Sequence, residues 1–361
     1  MMHYGLVETM VQDDYIQPLP FSEVNLDDSF FDSLRCSYAG FDEWFNRKAL
    51  GGEYAYFAFD SCSNLIAMLY LKEESGLEEG VIPRMDFPRL KIGTFKVDFD
   101  HHTGIGKRLL AISLRDFARS GLDFVYVTMH ENENTSSLAK LLYKYGFSYW
   151  GSKDQETVLY KTRSCSDDNA FIRYPFVSRS VGNCWILSIR PEYHKDLFGD
   201  VHLTSEYGQP IIDESCLNSI EKIYLSGSQN AADMAVGDKV IIYRTTDYEG
   251  PAHYRSVVTS VCTVVKVVNL NFFRDEVDFL KKVRGKTVFT LEELRRFWQT
   301  KRYPWLICLL FNFPLKRYPN RKQLLDCGFI DTERLVCERI SQDDMDGIMA
   351  LGNADESFIV D

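Results

Sequence analysis

The stretch Lys96–Leu110, KVDFDHHTGIGKRLL, decides how this chain is read. Its first residues alternate as a strand, with Val97 and Phe99 on one side. A turn built around Gly104 and Gly106 follows, and Lys107-Arg108-Leu109-Leu110 opens a helix directly behind it. Glycines at the mouth of a helix let backbone approach a ligand closely, and first-turn N–H groups have no partner within the helix. Helped by the helix dipole, those groups form a site for phosphate. The geometry suits a diphosphate-bearing cofactor. A lone TGIG is also ordinary turn and cap chemistry, so the flanking sequence has to narrow the choice.

Downstream, Phe124–Met129 (FVYVTM) is β-branched and aromatic and reads as a strand. After His130-Glu131-Asn132-Glu133-Asn134 comes a helical pattern with Leu138, Leu141, Leu142 and Tyr145 on one face. That helix stops at Gly146, and Phe147–Gly151 with Glu156–Lys161 forms a hairpin-like pair.

The strand KVDF, the loop HHTGIGKRLL, the strand VYVTM and the run NTSSLAKLLYKYGF together resemble the GNAT family of N-acetyltransferases. The resemblance covers roughly Tyr54–Lys161, with helices upstream around Phe30–Leu50. It implies an α/β fold, a mixed central sheet with flanking helices, and acetyl-CoA as cofactor. The cofactor-binding set it implies is Val97, Asp98, Phe99, His101, Thr103, Gly104, Ile105, Gly106, Lys107, Arg108 and Asn134. In the family the loop amides hold the pyrophosphate, which falls to Thr103–Lys107. The preceding strand offers a backbone N–H to the thioester carbonyl, here from Val97–Phe99, an oxyanion-type donor.

Two positions depart from the family pattern. His101 stands where Gln or Arg is usual, so a weaker or pH-dependent phosphate contact is expected. The register of the family's general-acid Tyr falls on Leu142, with Tyr143 one residue, about 100°, further round the helix. Tyr143 is nevertheless the candidate acid for the departing thiolate. Asp98, Glu131 and His130 are candidate bases for the acceptor amine, and the sequence does not select among them.

At 361 residues the chain is long enough for two domains with full cores. Hydrophobic content of 45% with 14% aromatics argues for a folded chain, and no apolar run approaches the ~20 residues that cross a bilayer. The first residues lack the basic flank and apolar centre of a signal peptide. Nine cysteines occur with no CxxC pair, and Cys184, Cys262 and Cys308 sit in apolar company. Reduced thiols, no metal site, no membrane association and a cytoplasmic location are expected. The net charge of −11 argues against a nonspecific DNA binder. Residues 1–165 carry 17 basic and 24 acidic side chains, 166–330 carry 22 and 19, and 331–361 carry 2 and 9. The positive middle leaves a local nucleic-acid face open.

Beyond the polar run RSCSDDNAF the pattern turns to short strands: Cys184–Ile189, Lys222–Leu225, Lys239–Tyr243, Ser256–Val268 and a buried Trp305–Phe311. Helices are expected over Asp275–Val283 and Leu291–Gln299, the second capped by Thr290. The segments IYLSG, MAVGDKVIIYRT, HYRSVVTSVCTVVKVV and YPWLICLLFNF resemble the PUA-like superfamily, which includes ASCH and EVE domains. That resemblance, over roughly Val181–Ile330, implies a small β-barrel with a cleft for RNA or a modified base. Tyr243, Arg244, His253, Tyr254 and Arg255 are the candidate RNA-binding residues, since arginine beside aromatics suits phosphate contact plus base stacking. Basic and aromatic residues also interleave over residues 281–318.

The expected organisation is a GNAT domain over 1–165, a linker over 166–180, a PUA-like barrel over 181–330 and an acidic segment over 331–361. The expected activity is acetyl transfer to an amine, RNA-linked (aminoacyl-tRNA or other tRNA) and recruited by the PUA-like half. A branch of the family consists of toxins that acetylate aminoacyl-tRNA, which brings in a toxin-like role and an antitoxin or other protein partner. The alternatives are a protein N-acetyltransferase with a docking module, or an inactive GNAT fold that binds RNA.

Overall fold

A computed structural model describes residues 15–60, 62–98, 104–130, 135–164, 167–198, 220–246, 251–283, 286–331 and 335–360. The first half runs β1 (Tyr15–Pro20), α1 (Asp32–Ser37), α2 (Phe41–Leu50), β2 (Tyr54–Phe59), β3 (Leu65–Glu74), β4 (Val81–Ile82) and β5 (Arg89–Val97). It continues with α3 (Ile105–Ser120), β6 (Phe124–Met129), α4 (Ser136–Lys144), β7 (Ser148–Lys153) and β8 (Glu156–Thr162). These strands make one sheet in the order β1-β2-β3-β5-β6-β8-β7-β4. All neighbours are antiparallel except β5 and β6, which are parallel.

Strand alternation sends the two faces to different cores. Val125, Val127 and Met129 of β6 face α3 and α4, against Leu109, Leu110, Leu114, Phe117 and Leu142. On the other face Phe57, Met68 and Tyr70 pack with Phe21, Phe31, Phe41 and Phe45 around α1 and α2. Phe124, Tyr126 and Val158 lie on that second face too, under Val81 and Met85.

The second half adds α5 (Ala170–Arg173), β9 (Val177–Ser178), β10 (Cys184–Ile189), α6 (Pro191–Leu197), β11 (Glu221–Ser226), β12 (Lys239–Arg244), α7 (Ala252–Arg255) and β13 (Val257–Asn269). Then come α8 (Glu276–Val283), α9 (Leu291–Thr300), β14 (Trp305–Pro314), α10 (Arg321–Asp326), β15 (Cys337–Ile340), α11 (Gln342–Leu351) and β16 (Ile359–Val360). Six of the strands form a sheet ordered β11-β14-β13-β12-β10-β15. Bulges at Val261/Cys262 and Val264/Lys266 bend the 13-residue β13, which pairs with β12 at one end and β14 along the rest. Among the described residues no pairing joins the two ends of this ladder, β11 and β15. The 3-10 turn Gln229–Asp233 crosses between them, and Asn230 donates to the Cys337 carbonyl at 2.9 Å. Thr290 caps α9 through a capping box with Glu293.

Two expected boundaries are corrected. Of the expected linker, residues 170–178 are mostly buried against the fold, while 167–169 and 179–180 are exposed. Phe176 packs edge-on against Phe117, and Tyr174 against Tyr145, at ring separations of 5.8 and 5.6 Å. Residues 335–360 are equally part of the fold: β15 pairs with β10, β16 pairs in parallel with β9, and α11 buries Met345, Ile348 and Met349. The acidic residues of this segment hid an amphipathic helix and two short strands that only tertiary pairing stabilises.

One hydrophobic core joins the halves. It contains Leu109, Leu114 and Val127 of the first together with Ile186, Ile241, Val261, Phe313 and Ile348 of the second. We therefore expect a single cooperative thermal transition for the whole chain. Ile348→Ala should lower stability by about 2–5 kcal/mol and move that transition intact. Two separated calorimetric transitions, only one of them moved, would instead show independent halves.

Candidate active site

β5 and β6 pair only at Leu90↔Val125, Lys91↔Tyr126 and Ile92↔Val127. Just beyond, the β3 partner steps from Leu71↔Ile92 to Tyr70↔Thr94, so Gly93 is an extra residue, a bulge. A Cβ at Gly93 would lie 2.9 Å from the Tyr70 ring, so this position takes glycine. After the bulge β5 follows β3 and leaves β6. The result is an opening between the carboxyl ends of two parallel strands, the usual position for a ligand in such sheets.

The backbone around this opening is defined. The Asp98 N–H donates to the Ile66 carbonyl of β3 at 2.8 Å. Alternation along the strand then turns the Val97 N–H the other way, toward the opening. Lys96 donates to the Phe30 carbonyl and to Ser33 Oγ, on the α1 side, so Asp98 shares that side. Behind the opening Gly104 precedes α3, and its carbonyl accepts from the Lys107 and Arg108 N–H groups at 3.0 and 3.2 Å. This leaves the Ile105 and Gly106 N–H groups directed out of the helix start. Gly106 sits against the end of β5: a Cβ there would lie 3.9 Å from Val97 Cγ2. Ile105 and Arg108 are buried, and Lys107 is half-buried. Phe99, His101, Thr103, Glu131 and Asn134 lie outside the described residues.

Lys107 belongs to a charge cluster that crosses between the halves. Glu221 at the start of β11 accepts from Lys144 of α4 and, at 2.6 Å, from Lys286. Burial pushes the Glu221 carboxyl upward, but hydrogen bonds from the two lysines outweigh it and hold it down at about 2. Burial lowers the Lys107 ammonium, with Glu221 opposing and Lys286 and Lys144 reinforcing.

On the opposite face of the sheet, Tyr38 from the α1–α2 corner donates to Glu156 Oε1 at 3.0 Å. Its ring lies over His130 at a centroid separation of 5.8 Å and a tilt of 32°. Thr135 donates to the His130 carbonyl at 2.6 Å, tying the end of β6 to the start of α4. Burial and then the Glu156 charge raise the Tyr38 hydroxyl's pKa, keeping it a donor. Tyr38 and Glu156 are residues that sequence reasoning missed. They lie 118 positions apart, and nothing local marks either one.

Tyr143 is 45% exposed on α4 while Leu142 is fully buried, so the family register places an apolar side chain inward and the tyrosine outward. Of the RNA candidates, Tyr243 and Arg244 are corrected to interior positions. They are 2% and 4% exposed, because β12 is central in its sheet and covered on both faces. His253, Tyr254 and Arg255 occupy the short α7, where Tyr254 is 60% exposed. Among the described residues, no group of three His, Cys, Asp or Glu side chains could hold a metal, and no helix is long and apolar enough to cross a membrane.

No family model matches the chain, and no curated protein does. Solved structures each match part of the chain. An ASCH mutant protein from Zymomonas mobilis is 12% identical, with 47% of this chain and 96% of that one covered, at a TM-score of 0.31. The PaiA N-acetyltransferase from Thermoplasma acidophilum, in complex with coenzyme A, is 18% identical over 42% and 99%, at 0.29. A mutant AtaT toxin, bound to the C-terminus of the antitoxin AtaR and acetyl-CoA, is 16% identical over 42% and 93%, also at 0.29. Likenesses at these scores carry no argument about activity.

The charge cluster makes a testable statement about acid. Glu221 titrates below its unfolded value, so its contribution is complete above about pH 4.5 and is lost as pH falls toward 2. In the wild type that loss is on the order of 3 kcal/mol. Glu221→Gln should flatten the fall in urea-unfolding free energy across this window; an unchanged slope would mean the lysines do not hold the carboxylate.

Proposed function

We propose that this chain is an acetyl-CoA-dependent N-acetyltransferase working in the opening between β5 and β6. One observation carries the reading: the Gly93 bulge, the Val97 N–H and the glycine-led start of α3 meet at the same opening. The residues fit the cofactor's chemistry, because a phosphate needs convergent N–H donors and a thioester carbonyl needs a strand N–H outside the ladder. Bound acetyl-CoA would supply an activated acyl thioester.

Gly104, Ile105, Gly106 and Lys107, with Thr103, His101 and Arg108, would hold the diphosphate end, and Asn134 would flank it. Val97, with Asp98 and Phe99 beside it, aligns the acyl group, and the Val97 N–H stabilises negative charge on the carbonyl oxygen. Asp98, Glu131 or His130 takes the proton of the acceptor ammonium. Tyr143 would donate a proton to the departing thiolate. The half-exposed setting of that hydroxyl leaves water as the competing donor.

The second half is proposed to present an RNA-linked amine, a tRNA among the candidates. What supports it is the exposed His253-Tyr254-Arg255 turn and the lobe around α8 and α9. In that lobe Phe272 stands 84% exposed near Arg274. A toxin-like role with a protein partner of antitoxin type rests on the family resemblance alone.

Calorimetric titration with acetyl-CoA tests the cofactor site. Gly104 has φ −69°, which any residue adopts, so Gly104→Glu places a carboxylate at the phosphate position without backbone strain. We expect micromolar binding by the wild type and a loss of at least about 100-fold in the variant, with unchanged melting. Equal affinities would refute the loop assignment. Val97→Pro deletes the donor that points into the opening and spares the β3 ladder. Turnover should drop about 100- to 1000-fold while acetyl-CoA affinity holds, as measured by thiol release.

A further inference from the structure

Tyr38, His130 and Glu156 meet where β6 ends, on the face of the sheet that carries α1 and α2. They come from three separate elements: the turn after α1, the residue after β6 and the first residue of β8. Met129 pairs with Thr157, so Glu156 stands across from His130 at the lip of the opening. Asp98 ends β5 on the same side, two residues beyond Lys96, and it acts electrostatically on the Lys96 ammonium. Two carboxylates therefore lie on the α1–α2 face of the sheet, Asp98 at the end of β5 and Glu156 at the start of β8 beside Tyr38.

Stability does not call for this arrangement. Tyr38 is 39% exposed, and a hydrogen bond between half-exposed groups adds little to folding. The local cations are already engaged: Arg35 pairs with Asp32 and Asp42, and Lys96 is held by Phe30 and Ser33. A carboxylate held by a tyrosine hydroxyl at the rim of the site is a group that receives an alkylammonium through charge-assisted hydrogen bonds.

We propose that Glu156, Tyr38 and His130 form the acceptor site, and that the acceptor is a cationic primary amine on a flexible stem. The inference rests on the acetyltransferase reading and adds to it the charge of the acceptor. Glu156 receives the ammonium, and the Tyr38 hydroxyl orients the carboxylate. The His130 ring backs the tyrosine. Asp98 lies on the other strand, one side of the opening away.

The experiment uses the full-length protein with acetyl-CoA and, as probe amines, cadaverine (cationic) and aniline (neutral at the assay pH), with free thiol as readout. Acetyl-CoA affinity is measured first by calorimetry. We expect thiol release that depends on cadaverine and not on aniline. Glu156→Gln should raise the KM for cadaverine about tenfold with kcat within about twofold, and leave acetyl-CoA affinity unchanged. Glu156→Asp should restore part of the loss, which a purely structural role would not produce. Wild type that binds acetyl-CoA but releases no thiol with cadaverine, or an unchanged KM in Glu156→Gln, overturns the acceptor site alone. Wild type that does not bind acetyl-CoA overturns the parent reading instead.

Discussion

Everything in this molecule depends on α3 being buried nearly all round. Of its sixteen residues only Arg119 is exposed. One side rests on the first sheet through Leu109, Leu114 and the Asp116–Tyr56 hydrogen bond of 2.9 Å. Another meets the second half, where the Arg115 guanidinium covers the Phe311 ring at 4.9 Å and Arg119 covers Phe358 at 5.6 Å. Ser113 satisfies its buried hydroxyl by bonding back to the Leu109 and Leu110 carbonyls. A helix fixed on both sides cannot shift without disturbing two sheets. Its N-terminus is therefore held in register with the end of β5, which preorganised charge stabilisation requires.

The same burial explains what the sequence did and did not disclose. The strands and helices of both halves were legible from local pattern: Cys184–Ile189 has its expected bounds, and Thr290 makes the expected cap. The glycine turn before α3 was legible for the same reason, since a backbone need marks its own residues. What local pattern cannot carry is partnership at a distance. Arg115, for instance, is engaged by Phe311 of β14, about two hundred residues away. Tyr243 and Arg244 read as a surface pair because a tyrosine beside an arginine has the same composition in a cleft and in a central strand. The residues 167–180 and 335–360 looked like a linker and an acidic segment because charged and polar runs such as Asp167-Asp168-Asn169 and Asp343-Asp344 dominate their local pattern, although their apolar content matches the rest of the chain. Their order comes from β9–β16 and β10–β15 pairing, contacts made across more than a hundred residues.

Electrostatics divides the opening into two sides. Toward α3, among the described residues, Lys107, Lys144 and Lys286 gather around the carboxylate of Glu221. Toward α1 it is shaped by Asp98 and Glu156, and Lys96 is tied to the backbone. An anionic cofactor and a cationic acceptor would be sorted to opposite faces by charge before any contact forms. Neither group of charges is legible from the net charge of −11, because the two are small and of opposite sign.

That division constrains how the halves can cooperate. Among the described residues, the second half packs on the face of α3 and α4, away from the aromatic core around α1 and α2. An acceptor recruited by the second half must reach round the sheet edge to arrive beside Glu156. A rigid folded surface cannot do this, whereas a single-stranded end or a flexible side chain can. The β8-β7-β4 end of the sheet lies nearer Glu156, the first residue of β8, than the β1 end does. Lys144 and Glu221 already join the halves near that side, through α4 and β11. Under the proposed activity, this placement favours an amine at the end of an extended tether over one presented on a flat protein surface, and tether length would be the quantity that separates RNA-linked from protein-linked acceptors.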